Sequence, residues 1–116
     1  MSVKTWRFRR WAVLVVGFGS CILAAAPSVH GLDAQYKFMC AQCHGLNGNA
    51  KGLSGVKLPG RVLADRRWLA RQKNEDLLRS ILEGKGAMPG FKHKMTPEEA
   101  RRMIGGVLRP MARKAR

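Results

Sequence analysis

The chain has 116 residues, 22 of them basic and 7 acidic, for a formal net charge of +15. That length excludes more than one domain and a large buried core. The charge excludes a basic partner, and three cysteines are too few for a disulfide framework.

The first element is a targeting segment. A basic opening with Lys4, Arg7, Arg9 and Arg10 runs into the apolar stretch from Trp11 to Ala26. Basic n-region, apolar h-region and small residues behind them make a secretory signal over residues 1–28. Pro27 disfavours a cut after Ala26, so cleavage is expected after Ser28 or Gly31. The competing reading is an uncleaved anchor, since no charge occurs from Trp11 to Leu32 and about 20 apolar residues span a bilayer. Arg9-Arg10 matches twin-arginine export poorly, and Cys21 is a weak lipoprotein-type site. Removing residues 1–28 leaves 18 basic against 7 acidic residues, a net charge of +11.

The remaining residues, 29–116, read as one domain of helices and loops with no strand. Tyr36 lies four positions before Cys40, and Ala34 four before Phe38, which is helical spacing over 32–43. Residues 45–60 are rich in Gly, Asn and Pro, and a loop that long in a small domain is expected to wrap something. A helix follows with Asn74 as N-cap, an apolar face of Leu77, Leu78, Ile81 and Leu82, and Gly84 as terminator. After a second Gly-rich loop, Thr96, Pro97 and Glu99 spell a capping box that opens the last helix. Its inner side is Ala100, Met103, Ile104, Val107 and Leu108. Gly105-Gly106 weaken it, and Pro110 is expected to end it, leaving a basic tail from about 110 that frays into solvent.

Chemistry concentrates in Cys40-Ala41-Gln42-Cys43-His44. A dithiol redox couple would need a βαβ surround, which is missing. A closed zinc site would need four donors, from Cys40, Cys43, His44 and either His30 or His93. A histidine directly beside a ligating cysteine aims poorly at the same ion. The run C-x-x-C-H is the attachment signature of c-type haem. Two thiols on one turn reach the vinyl carbons of a porphyrin edge, and the next imidazole falls beneath the iron. For the opposite haem face, Met88 sits in a Gly/Pro loop rather than on a helical face, which favours a ligand over core filler. His93, between Lys92 and Lys94, is the rival, with an open iron site as the third option.

Together, the stretches from Tyr36 to Gly52, Gly55 to Leu58, Leu77 to Phe91 and Met95 to Arg109 resemble small monohaem class I cytochromes c. The resemblance implies an all-α class I cytochrome c fold, three to four helices wrapped around one covalently bound haem c. It implies Cys40 and Cys43 as thioether sites and His44 and Met88 as axial iron ligands. The family's Gly-Pro-x-Leu places a carbonyl on the histidine Nδ1–H. Here Gly55-Val56-Lys57-Leu58 is expected in its place, with the Val56 carbonyl accepting. Trp68 is the candidate contact to a haem propionate. The family's aromatic residue in the last helix is Gly106 here, so a looser contact with Tyr36 is expected.

With both axial sites filled, the iron has no vacancy for substrate, so the reading is a one-electron carrier and not an enzyme. The alternative is a fixed haem subunit of a multi-chain dehydrogenase or oxidase. Partners are expected to be redox proteins with acidic docking surfaces, met by Lys51, Lys57, Lys85, Lys92 and Lys94. Nucleic acid is disfavoured by export and by the lack of aromatic residues among the charges. Membrane contact would come through an uncleaved N-terminus or the basic tail. The expected location is the periplasm or another exported compartment, or the inner membrane for an anchored form.

Overall fold

A computed structural model describes residues 29–115, all of them in helices, turns and loops. The signal segment read over 1–28 lies outside the described residues, as does Cys21. In chain order the helices are α1 (Val29–Met39), α2 (Ala41–His44), α3 (Arg66–Arg71), α4 (Asn74–Glu83), α5 (Pro97–Met103) and α6 (Arg109–Lys114). A π-helical turn, Ile104–Leu108, joins α5 to α6 without a break. Among the described residues there is no strand, and no helix is long and apolar enough to cross a membrane.

The terminal helices cross and form the core. Tyr36 of α1 is only 2% exposed, and Leu32, Met103, Ile104, Val107 and Leu108 are buried with it. The expected loosening at Gly106 is not found. A Cβ there would lie 3.4 Å from Leu32 Cδ1, so the missing side chain lets α1 approach. The Tyr36 hydroxyl is satisfied elsewhere, donating to the Gly45 carbonyl at 2.8 Å. Burial, and secondarily the Cys40 thiol nearby, push its ionisation upward, so it stays a donor.

The last helix also departs from expectation at Pro110. In a straight α-helix its ring would meet the carbonyl four residues back and its missing N–H would break the ladder. The π-turn absorbs both problems just before it, with Arg109 N–H bonding five residues back to Ile104. Gly105 and Gly106, poor helix formers, make the wider turn easy to adopt. The tail therefore does not fray at 110: α6 runs to Lys114 with Ala112 buried and Met111 against the core.

Caps fix the other ends. Thr96 and Glu99 form both halves of the predicted capping box. Those bonds hold the Glu99 carboxyl below the usual carboxylate range, so its share of the cap stands near neutrality and is lost as pH falls. Asn74 is not the N-cap of α4. Lys73 takes that place, and Asn74 is the first helical residue. Its Oδ1 instead accepts from Arg109 at 2.8 Å. The same guanidinium donates to the carbonyls of Leu69 and Gln72, so it clasps the end of α3 to the start of α4. Arg109→Ala should lower stability by about 2–3 kcal/mol, read as a shifted denaturant midpoint, because carbonyls built around a charged donor lose it together. Helix α3 itself had no expected counterpart. Its start signal is Asp65, whose carboxylate accepts from Trp68 N–H at 2.9 Å.

Candidate functional site

The Cys-x-x-Cys-His run occupies the join between α1 and α2. Cys40 is the residue before α2, half-buried, while Cys43 is exposed, and both thiols are free. Burial pushes the Cys40 thiol up to about 11. Among the described residues no three His, Cys, Asp or Glu side chains converge as a metal cluster.

His44 is buried, and its Nδ1 lies 2.8 Å from the Arg61 carbonyl. A carbonyl only accepts, so Nδ1 carries the proton and Nε2 keeps its lone pair for a metal. This corrects the expected role of Val56. The Val56 carbonyl is taken by Gly52 N–H at 2.8 Å, and its side chain is exposed. The physical reason is the closed turn that begins at Gly52, which turns Val56 back upon itself. The chain reaches His44 only later, at Gly60, whose N–H donates to the Cys43 carbonyl at 2.8 Å. A Cβ on Gly60 would fall 2.2 Å from that carbonyl oxygen and 2.8 Å from His44 Nδ1, so only glycine passes there.

Gly60-Arg61-Val62-Leu63 thus holds the frame first assigned to residues 55–58, with arginine in the position of proline and Leu63 buried. Both Gly60 and Arg61 were missed in the sequence. Their signal was a second glycine-to-leucine spacing of three, adjacent to a helix start. Arg61 has a further contact, its guanidinium lying 4.3 Å from the centre of the Trp68 ring.

These residues open onto one cavity of about 280 Å³. Cys40, His44, Arg61, Trp68 and Met88 all line it, together with Leu63, Leu77, Ile81, Phe91, Met95 and Met103. Its polar lining is sparse: Gln72, Asp76, Ser80 and Lys85 accompany Arg61. His93 is exposed and lies on a different cleft, between Lys92 and Lys94. Of the five lysines, only Lys85 borders this cavity. Lys92 and Lys94 border the cleft with His93, and Lys51 borders a third.

The loop carrying Met88 is tied down at both ends. Lys85 and Met88 exchange backbone hydrogen bonds at 3.1 Å, and Phe91 and Lys92 N–H groups donate to the last carbonyls of α4 at 2.9 and 3.1 Å. Gly84 ends α4 at a φ of +85°, and a Cβ on it would sit 2.5 Å from the Met88 carbonyl. Gly90 is equally confined, 2.7 Å from the Leu82 carbonyl. Met88 is therefore presented by a backbone with little freedom.

The donor set fits haem c. The Cys40 thiol, an imidazole with its outer nitrogen tied and its inner one available, and a thioether border one largely apolar cavity, and the free Cys43 thiol lies one residue before that imidazole.

The family model for cytochrome C oxidase, cbb3-type, subunit III matches residues 27–105. Among solved structures, the KustC0563 c-type cytochrome aligns with a TM-score of 0.57 at 32% identity, covering 68% of this chain and 94% of its own. A tyrosine-to-phenylalanine mutant of it gives a TM-score of 0.56 at 30% identity, over 69% and 96% of the two chains. The c-type cytochrome NirC gives 0.51 at 25% identity, over 68% and 91%. A comparison with curated proteins returned no match.

Proposed function

Because the chain belongs to the cbb3-type subunit III family of c-type cytochromes, we propose that it is an exported one-electron carrier with His44 and Met88 as iron ligands. The class I helical fold and one covalent haem c come with that family. The observation that carries the ligand assignment is the common cavity of Cys40, His44 and Met88. Haem, when bound, supplies the one-electron chemistry. Cys40 and Cys43 would fix it as thioethers, and Arg61 would keep the His44 ring oriented through its carbonyl. The apolar lining limits water, and a thioether ligand favours the reduced state relative to a second imidazole. Trp68, on the cavity wall, is the residue for a propionate contact.

Export is supported by the signal pattern over 1–28 and by a family match that starts at residue 27. The positive surface suits an acidic redox partner, with Lys85 on the cavity wall as the nearest lysine. The family description favours a second role, a fixed haem subunit of a terminal oxidase. Both roles are carriers, and neither makes the chain a catalyst.

The test is to express the chain with haem-maturation machinery, extract it with acidic acetone and titrate it. Expected are haem that stays with the polypeptide and a single one-electron wave. Extractable haem would defeat the reading. Purification from the native membrane in fixed ratio with oxidase chains would select the subunit role, and recovery alone would select the shuttle.

A further inference from the structure

Between Asp33 and Asp65 the chain has no acidic residue, while Lys37, Lys51, Lys57 and Arg61 fall in that interval. Two of these lysines face each other. Lys51 and Lys57 are partners in an isolated antiparallel bridge, so their side chains leave the same face of the ladder. Like charges directly opposite destabilise such a pair. Neither is relieved by a carboxylate: the ion pairs among the described residues are Arg79–Asp76 and Arg101–Glu98.

Above the lysines the chain closes into a turn. Gly52 N–H donates to the Val56 carbonyl at 2.8 Å, Gly55 N–H donates to the Gly52 carbonyl at 2.9 Å, and Gly55 takes a φ of +80°. The tip carries Leu53 at 95% exposure and Val56 at 64%. None of these residues lines the haem cavity. The cleft beside the tip continues the same character through Lys37, Leu46 and Leu58.

We propose that this finger, residues 51–57, docks the domain on an anionic bilayer surface. The two apolar side chains enter the boundary of the acyl region, and the paired ammonium groups take lipid phosphates. Charge complementarity favours an anionic surface, and shape favours a lipid one. A narrow convex tip offers little of the roughly 800 Å² per side that a protein interface uses, whereas a fluid headgroup layer closes around it. The proposal does not depend on which side chains hold the iron.

The test uses the full haem-loaded chain, with vesicles of phosphatidylcholine alone and vesicles also containing phosphatidylglycerol. Hydrogen exchange is followed peptide by peptide. Exchange over residues 50–58 should slow about threefold or more with the anionic vesicles only, and high salt should reverse it. Lys51→Gln with Lys57→Gln, and separately Leu53→Ser with Val56→Ser, should remove the slowing with the haem spectrum unchanged. Unaltered exchange over 50–58 overturns the proposal, even where the chain sediments with vesicles through its N-terminal segment. Slowing that grows with protein concentration in the absence of lipid assigns the finger to a second copy and overturns it too. Slowing by an acidic redox protein, with none by vesicles, does the same.

Discussion

Replacing Met88 by alanine is expected to remove the far-red charge-transfer band that thioether ligation gives ferric haem, and to lower the reduction potential by roughly 0.1 V or more. The expectation rests on where the chain puts this side chain. Met88 shares the cavity with His44 and Cys40, and its loop is pinned by the Lys85 bridge and by the Phe91 and Lys92 amides. The variant should bind external ligands such as carbon monoxide or cyanide, with the Lys85 amine on the same cavity wall as the competing side chain. His93→Ala is the matched control and should change neither band nor potential, because His93 lies on another cleft. A protein that lacks the band before any substitution, with a haem spectrum that changes in His93→Ala and not in Met88→Ala, would reverse the assignment. Folding is not expected to suffer greatly, since Met88 is only partly buried.

Gly60→Val should be the most damaging single substitution in the wall of the site. The smallest side chain already intrudes on the Cys43 carbonyl and on the His44 ring, at 2.2 and 2.8 Å. One of these is backbone and the other is the buried His44 ring, so neither can swing aside. The chain must move away, and Arg61 moves with it, stretching the 2.8 Å bond to His44. Overpacking of this kind costs about 1–3 kcal/mol, and the lost hydrogen bond on a buried imidazole adds about 1 kcal/mol. The measurable result is a lower yield of covalently attached haem. What is recovered should have a raised potential, since an imidazole freed at Nδ1 is a weaker donor and stabilises the oxidised iron less. Val62→Ala, an exposed change two residues on, should leave yield and potential alone. Equal yields for the two variants would show that the Gly60 passage is not constrained.

The features legible in the sequence were those that a few adjacent residues decide. Cys40, Cys43 and His44 belong to one turn, and Thr96 and Glu99 satisfy each other across three positions, so the chain alone announces both. Helix α4 was legible because its apolar face and its terminal Gly84 follow helical geometry. What escaped depends on segments that meet only after folding. Whether the carbonyl of residue 56 or of residue 61 reaches His44 is set by the closed turn at Gly52, and both stretches have a suitable spacing. Pro110 normally stops a helix, and its tolerance comes from a π-turn held by packing of Ile104, Val107 and Leu108. Asn74 is a good cap by type, yet Arg109, 35 positions away, claims its side chain. The loosening expected at Gly106 failed for the same reason, because Leu32 moved into the space.

Arg61 meets His44 through its backbone and Trp68 through its side chain. The two contacts are therefore separable in inheritance. A main-chain oxygen is present whatever amino acid occupies the position, so the support of His44 survives any replacement that keeps the path of the chain. The guanidinium carries none of that burden and can be exchanged without endangering the hydrogen bond to His44. A position that would ordinarily be frozen by its duty to the His44 ring is here held only through its main chain, and the character of the cavity wall can drift there while the support of the ring stays the same.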